Sequence, residues 1–127
     1  MKTQIPIYRA KKIDSDEFVE GFYHPRFYMC MGDEICSTIS TLENGNQYEI
    51  DPLTLAIHFP NMLDKNGKKI FASLSEDGKG GDIVSLDFEG DFIEDTMIFS
   101  DLGVRLLNSH GFIWHSNVTT EVIGIQK

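Results

Sequence analysis

The residues of this chain that could do chemistry are four histidines, two cysteines and a dense run of carboxylates. His24, His58, His110 and His115 are scattered, and only His110 and His115, flanking Phe112-Ile113-Trp114, could approach each other across a turn. A metal or acid–base role needs a partner carboxylate and an orienting neighbour, which the spacing does not supply, so they read as surface or turn histidines. Cys30 and Cys36 lack the second ligand pair of a structural zinc site. They read as thiols facing one another across a hairpin centred on Asp33, with a disulfide expected only outside a reducing cytosol. Asp64 to Gly67 resembles the start of a calcium loop, but an EF-hand needs Gly at its sixth position and Glu at its twelfth, and here Gly falls fourth. Asn66-Gly67 is therefore read as a turn. Gly78-Lys79-Gly80-Gly81 has the wrong order for a phosphate-binding loop and reads as a flexible linker. Asp87, Glu89, Asp91, Glu94 and Asp95 could hold an acidic pair for hydrolysis, yet a solvated edge that resists strand pairing explains them more simply. Ser109-His110 lacks the strand–nucleophile–helix setting of a hydrolase. No catalytic, cofactor-binding or metal-ligating residue is assigned, and a non-enzyme is expected.

Charge narrows the partners. The 127 residues carry a formal charge of −9, and 76–101 holds nine acidic residues against one lysine. Nucleic-acid binding rests on neutralising phosphates, so this stretch should repel it, and no direct nucleic-acid binding is expected. The small basic clusters Arg9/Lys11/Lys12 and Lys65/Lys68/Lys69 do not reverse that balance. No apolar run approaches the ~20 residues that span a bilayer. The N-terminus lacks the apolar core of a signal peptide, so a cytoplasmic protein without membrane contact is expected.

These side chains must be positioned by strands. Nine Phe and short apolar runs separated by Gly, Asn, Asp and Pro at ~8–12-residue spacing predict an all-β fold with little helix. Ile5 to Ile13 and Phe18 to Tyr23 form a first hairpin, closed by Pro25. Arg26 to Met31 and Ile35 to Ser40 form a second. Asn44-Gly45 turns into Tyr48 to Asp51 and Leu53 to Phe59. Asp51 as cap and Pro52 at the first helical position mark the one place for a short helix. Val84, Leu86 and Phe88 alternate with Ser85 and Asp87, which predicts a half-buried strand. Five short strands are expected between Gly81 and the C-terminus.

Several separated blocks resemble one family. Tyr8-Arg9-Ala10-Lys11-Lys12-Ile13-Asp14 with Glu17-Phe18-Val19 and Gly21-Phe22 is similar to the N-terminal signature of the YopX-like phage and prophage proteins. Ile50-Asp51-Pro52-Leu53-Thr54, then Asp64-Lys65-Asn66-Gly67-Lys68-Lys69-Ile70 with Gly81-Asp82-Ile83-Val84, and finally Glu121-Val122-Ile123-Gly124, resemble its later blocks in order. The resemblance implies an N-terminal β-hairpin region over 1–63 and a C-terminal SH3-like small barrel over 64–127, together one continuous unit. It implies no cofactor and no catalytic residues. The chain departs from the family at 72–80, where a polar spacer separates Ile70-Phe71 from Gly81-Asp82.

The expected function is that of a phage or prophage accessory protein acting by protein–protein contact, with itself or with a host or phage protein. Phe27, Tyr28, Phe92, Phe112 and Trp114 are the candidate interface aromatics, against the simpler reading that they fill the core. The alternative is an acidic decoy that presents the 76–101 carboxylates to a nucleic-acid-binding protein of the host.

Overall fold

The structure, a computed structural model, describes residues 6–28, 35–88, 90–100, 103–108, 114 and 118–127. Its strands are β1 (Ile7–Lys11), β2 (Phe18–Tyr28), β3 (Ile35–Thr41), β4 (Gln47–Glu49), β5 (Ala56–His58), β6 (Ala72–Ser73), β7 (Asp82–Phe88), β8 (Asp91–Ser100), β9 (Gly103–Leu106) and β10 (Thr119–Ile125). They form one mixed sheet in the order β10-β7-β8-β6-β5-β1-β2-β3-β4, with β9 on β8. The fold is all-β, as the strand spacing predicts. The expected helical turn is a 3-10 turn over Pro52–Thr54, where the Asp51 side chain accepts from the Leu53 N–H.

The N-terminal strands form a meander in which β1 pairs with β2, β2 with β3 and β3 with β4. Lys12 bridges to Ile50, and the Asp51 N–H donates to the Lys11 carbonyl, so the far edge of this meander curls back against the end of β1. The curl encloses Ala10, Val19, Ile39, Ile50 and Leu55, with Tyr8, Tyr23 and Tyr48 packed around them. Pro25 does not close the first hairpin. It lies inside β2, between His24 and Phe27 where the register to β3 shifts, because a bulge tolerates a residue that cannot donate to the ladder.

The C-terminal strands hold a second core of Met62, Ile70, Ala72, Val84, Leu86, Met97, Leu106, Trp114 and Val118. β7 and β8 form a hairpin, β10 returns antiparallel to β7, and β9 pairs with β8. Among the described residues these strands stay an open path, and the barrel closure expected over 64–127 is not seen. The two halves are continuous, because β6 pairs with β5 on one side and runs parallel to β8 on the other.

β6 opens the 72–80 spacer, whose end, Gly78-Lys79-Gly80-Gly81, sequence reads as a flexible linker and the structure builds as a packed seam. The Ser73 hydroxyl donates to the Lys79 carbonyl at 2.7 Å, the Gly80 N–H donates to the carbonyl of Gln126 just past β10, and the Gln126 N–H returns to the Gly81 carbonyl. Gly80 has φ +80°, and a Cβ there would collide with the Thr54 carbonyl. Glycine is therefore required by close backbone approach as well as by conformation, not by a need for slack.

Candidate functional site

Strand parity sorts the carboxylates of β7 and β8. Asp82 shares a face with Val84 and Leu86, and Asp95 shares one with Ile93 and Met97, so both turn into the molecule. Asp82 is fully buried, and its Oδ1 lies 2.8 Å from Nη2 of Arg9, itself buried on β1. Asp82 Oδ2 accepts from the Phe71 N–H at 2.8 Å, and Arg9 Nη2 donates to the Gly80 carbonyl at 2.7 Å. The guanidinium carbon sits 4.5 Å from the centroid of the Phe71 ring and 5.6 Å from that of Phe18. Burial pushes the Asp82 carboxyl above its usual range, against the opposing pull of Arg9 and the Phe71 N–H. Arg9 Nε has no hydrogen-bond acceptor among the described residues. This pair joins the two halves of the sheet, and its hydrogen bonds all go to backbone that the fold itself must hold.

His58 belongs to the same junction. It is buried in β5, not at a turn or surface, with its ring 5.5 Å from that of Phe71. Its Nδ1–H donates to the Ile70 carbonyl at 3.0 Å, which sets the tautomer because a carbonyl can only accept. Burial holds its pKa below the ordinary value, and the Ile70 hydrogen bond only partly offsets this. His24, on β2, is 2.9 Å from the Ser40 hydroxyl through Nε2. His110 and His115 lie outside the described residues.

The Asp64–Gly67 turn is an edge latch. Asp64 Oδ1 accepts from the Asn66 and Lys68 N–H groups, both at 2.9 Å. Oδ2 accepts from the Val122 N–H at 3.1 Å, while the Lys65 N–H donates to the Thr120 carbonyl. The side chain thus takes the place of a neighbouring strand along the outer edge of β10. Burial pushes the Asp64 carboxyl up, but the N–H donors of Val122, Lys68 and Asn66 and the charge of Lys68 outweigh it, so its pKa falls below the usual value. Asp95 makes a comparable clamp, accepting from the Thr96 and Asn108 N–H groups and from Asn108 Nδ2. No group of three or more His, Cys, Asp or Glu suited to a metal ion occurs among the described residues.

The opposite parity faces outward. Across β10, β7 and β8, one row reads Thr119, Asp87, Phe92 and the next Glu121, Ser85, Glu94. Phe92 is 75% exposed, the most exposed large apolar side chain among the described residues. Lys65, Ser85, Asp87, Phe92, Thr119 and Glu121 line a shallow hollow of about 150 Å³. Lys65 Nζ lies 3.4 Å from Glu121 Oε1 at its rim. A second exposed apolar pair, Phe22 (45%) and Leu42 (44%), occupies the outer side of β2 and the end of β3. The Leu42 N–H donates to the Glu20 carbonyl, and Glu20 pairs with Lys69 at 3.7 Å beside it.

The sequence-based interface candidates divide. Phe92 stands exposed. Trp114 does not, because its ring is buried in the C-terminal core and its Nε1–H donates to the Thr120 hydroxyl at 3.0 Å. Phe112 lies outside the described residues, as do the side chains of Phe27 and Tyr28. The facing cysteine pair is also corrected: Cys36 is opposite Phe27, and Cys30 lies outside the described residues. Sequence reasoning passed over Arg9, Asp82 and the Phe22–Leu42 pair. Asp82 could have been found, since its parity with Val84 and Leu86 places a carboxylate in the core, where it must meet a cation. Among the described residues no helix is long and apolar enough to cross a membrane. No protein-family model, no curated protein and no solved structure matches this chain.

Proposed function

We propose that this chain is a non-enzymatic accessory protein of the YopX-like phage and prophage kind that works by protein–protein contact, including contact with a second copy of itself. One observation carries the reading: large apolar side chains stand exposed on outer sheet faces, while the buried charged groups are occupied in holding the fold. Arg9 and Asp82 bond to each other and to backbone, Asp64 and His58 bond to backbone, and Asp95 accepts from the backbone and side chain of Asn108. Phe92, and separately Phe22 with Leu42, are exposed to 75%, 45% and 44%. Aromatic and large aliphatic groups so placed are what protein contacts bury. The Phe22–Leu42 patch suits self-association, because Lys69 beside it is already paired with Glu20 and, among the described residues, leaves the patch no free cation to attract an acidic partner.

The acidic-decoy alternative is weaker. Of its nine carboxylates Asp82 and Asp95 are buried, Asp91 has the opposite strand parity to Asp87 and Glu94, and Glu76 and Asp77 sit in the spacer. A phosphate mimic needs its charges in one continuous stripe, and the described carboxylates are divided among separate places.

Light scattering after size-exclusion chromatography tests the contact reading. Association that deepens with concentration and is abolished by Phe22→Ser with Leu42→Ser supports it. A monomer throughout the micromolar range removes self-association from the proposal.

A further inference from the structure

The contact reading leaves unassigned what the Phe92 face receives, and the charge around that side chain narrows the answer. We propose that the outer face of β10-β7-β8 binds an arginine-bearing segment of a basic partner protein, with one guanidinium seated in the hollow between Phe92 and Asp87. The proposal rests on the contact reading and names its partner class.

The hollow holds about 150 Å³, below the range of small-molecule and cofactor sites but sufficient for the end of one side chain. Its wall is a 75% exposed Phe92 ring, adjacent in register to Asp87. One oxygen of Asp87 accepts from the Gly90 N–H at 3.2 Å, which leaves the other available. A planar cation can stack on the ring and donate to the carboxylate at once, and arginine does both better than lysine. Beyond Asp87, this face carries Glu94 and Glu121, and its one lysine, Lys65, is already paired with Glu121. Three carboxylates against one lysine leave the face negative, in a chain whose formal charge is −9. A second copy offering the same face would meet like charge, and a nucleic acid would meet it with phosphates. A basic protein is the complementary partner.

The test uses the isotope-labelled full chain and two short peptides, one alternating glycine with arginine and one alternating glycine with lysine. Magnetic-resonance shifts at low salt are expected to concentrate on Phe92, Asp87 and Thr119, with the arginine peptide bound more tightly. Phe92→Ser and Asp87→Asn should each weaken the arginine peptide about threefold. Asn keeps the acceptor for Gly90, so the hairpin should survive that change. Glu76→Gln, in the spacer, should leave binding unchanged. Shifts spread evenly over all exposed carboxylates, equal affinity for the lysine peptide, or undiminished binding by Phe92→Ser would overturn the proposal. A chain that still self-associates but shows no arginine preference at Phe92 loses this inference alone, whereas one that does neither loses the contact reading as well.

Discussion

Glu94 and Asp95 are neighbours in the chain and opposites in the fold. Asp95 is buried and clamps the backbone of Asn108, while Glu94 stands on the exposed face beside Ser85. Asp82 and Asp87 on β7 divide in the same way, one locked to Arg9 inside and one at the mouth of a surface hollow. The local composition is equally acidic in both places. The difference is strand parity, which sends alternate side chains to opposite faces and makes Asp82 and Asp95 architectural within an acidic run. Inside, each carboxylate must find donors or lose stability. Outside, it is free to meet a partner.

That contrast can be broken first from the inside. Asp82→Ala leaves the Arg9 guanidinium buried and unpaired, and should cost about 3–5 kcal/mol. Chemical denaturation measures it, and a cost below ~1 kcal/mol would mean that the junction does not hold the halves together. Asp64→Ala is next, because it strands the N–H groups of Asn66, Lys68 and Val122 beneath the β10 edge. A loss of about 2–3 kcal/mol is expected, with amide exchange accelerated first at Val122.

The pH dependence follows from the same interior. The His58 pKa is lowered by burial, so the unfolded chain binds a proton that the folded chain resists. Its contribution to stability is present at neutral pH and is lost as pH falls below the ordinary value of 6.5. The Asp64 pKa is depressed, so its contribution holds above the ordinary value of 3.8 and is lost as pH falls through the lower folded value. Asp82, with its pKa raised by burial, contributes with the opposite sign and gives stability back as pH falls toward 3.8. In unfolding midpoints measured against pH, the fall below 6.5 is therefore the diagnostic one, and His58→Gln should remove it. A flat profile between neutral pH and about 5 would count against a buried neutral His58.

The smallest stability effect is expected outside. Phe92→Ser should change stability by no more than about 0.5 kcal/mol, because the ring is mostly in water. A large loss in the denaturation curve would place Phe92 among the structural residues and dissolve the contrast.

Much of the sheet was legible, because turns announce themselves locally. Asn44-Gly45 and Asn66-Gly67 stand at turns with Gly45 at φ +73° and Gly67 at φ +80°, and Asp51-Pro52 opens a short helical turn. The 72–80 spacer was not legible. Glycines and polar residues look alike in a slack linker and in a seam, and only the distant partners Arg9, Thr54 and Gln126 tell them apart. The Arg9–Gly80 hydrogen bond spans 71 residues of sequence, beyond the reach of any local pattern. Trp114 shows the same limit, since an aromatic residue in a short strand suits a core or an interface until its neighbours are known. Asp64 was read correctly as a turn residue, but its bond to Val122 spans the same kind of distance.

The central claim is that interior charges hold the fold while exposed apolar faces make contacts. It is tested most directly by light scattering of the wild type and the Phe22→Ser, Leu42→Ser double variant, each paired with its unfolding midpoint. The wild type is expected to associate with rising concentration, and the variant to be monomeric with a midpoint nearly unchanged. A wild type that stays monomeric across micromolar concentrations, or a variant that loses its fold together with its association, would contradict it.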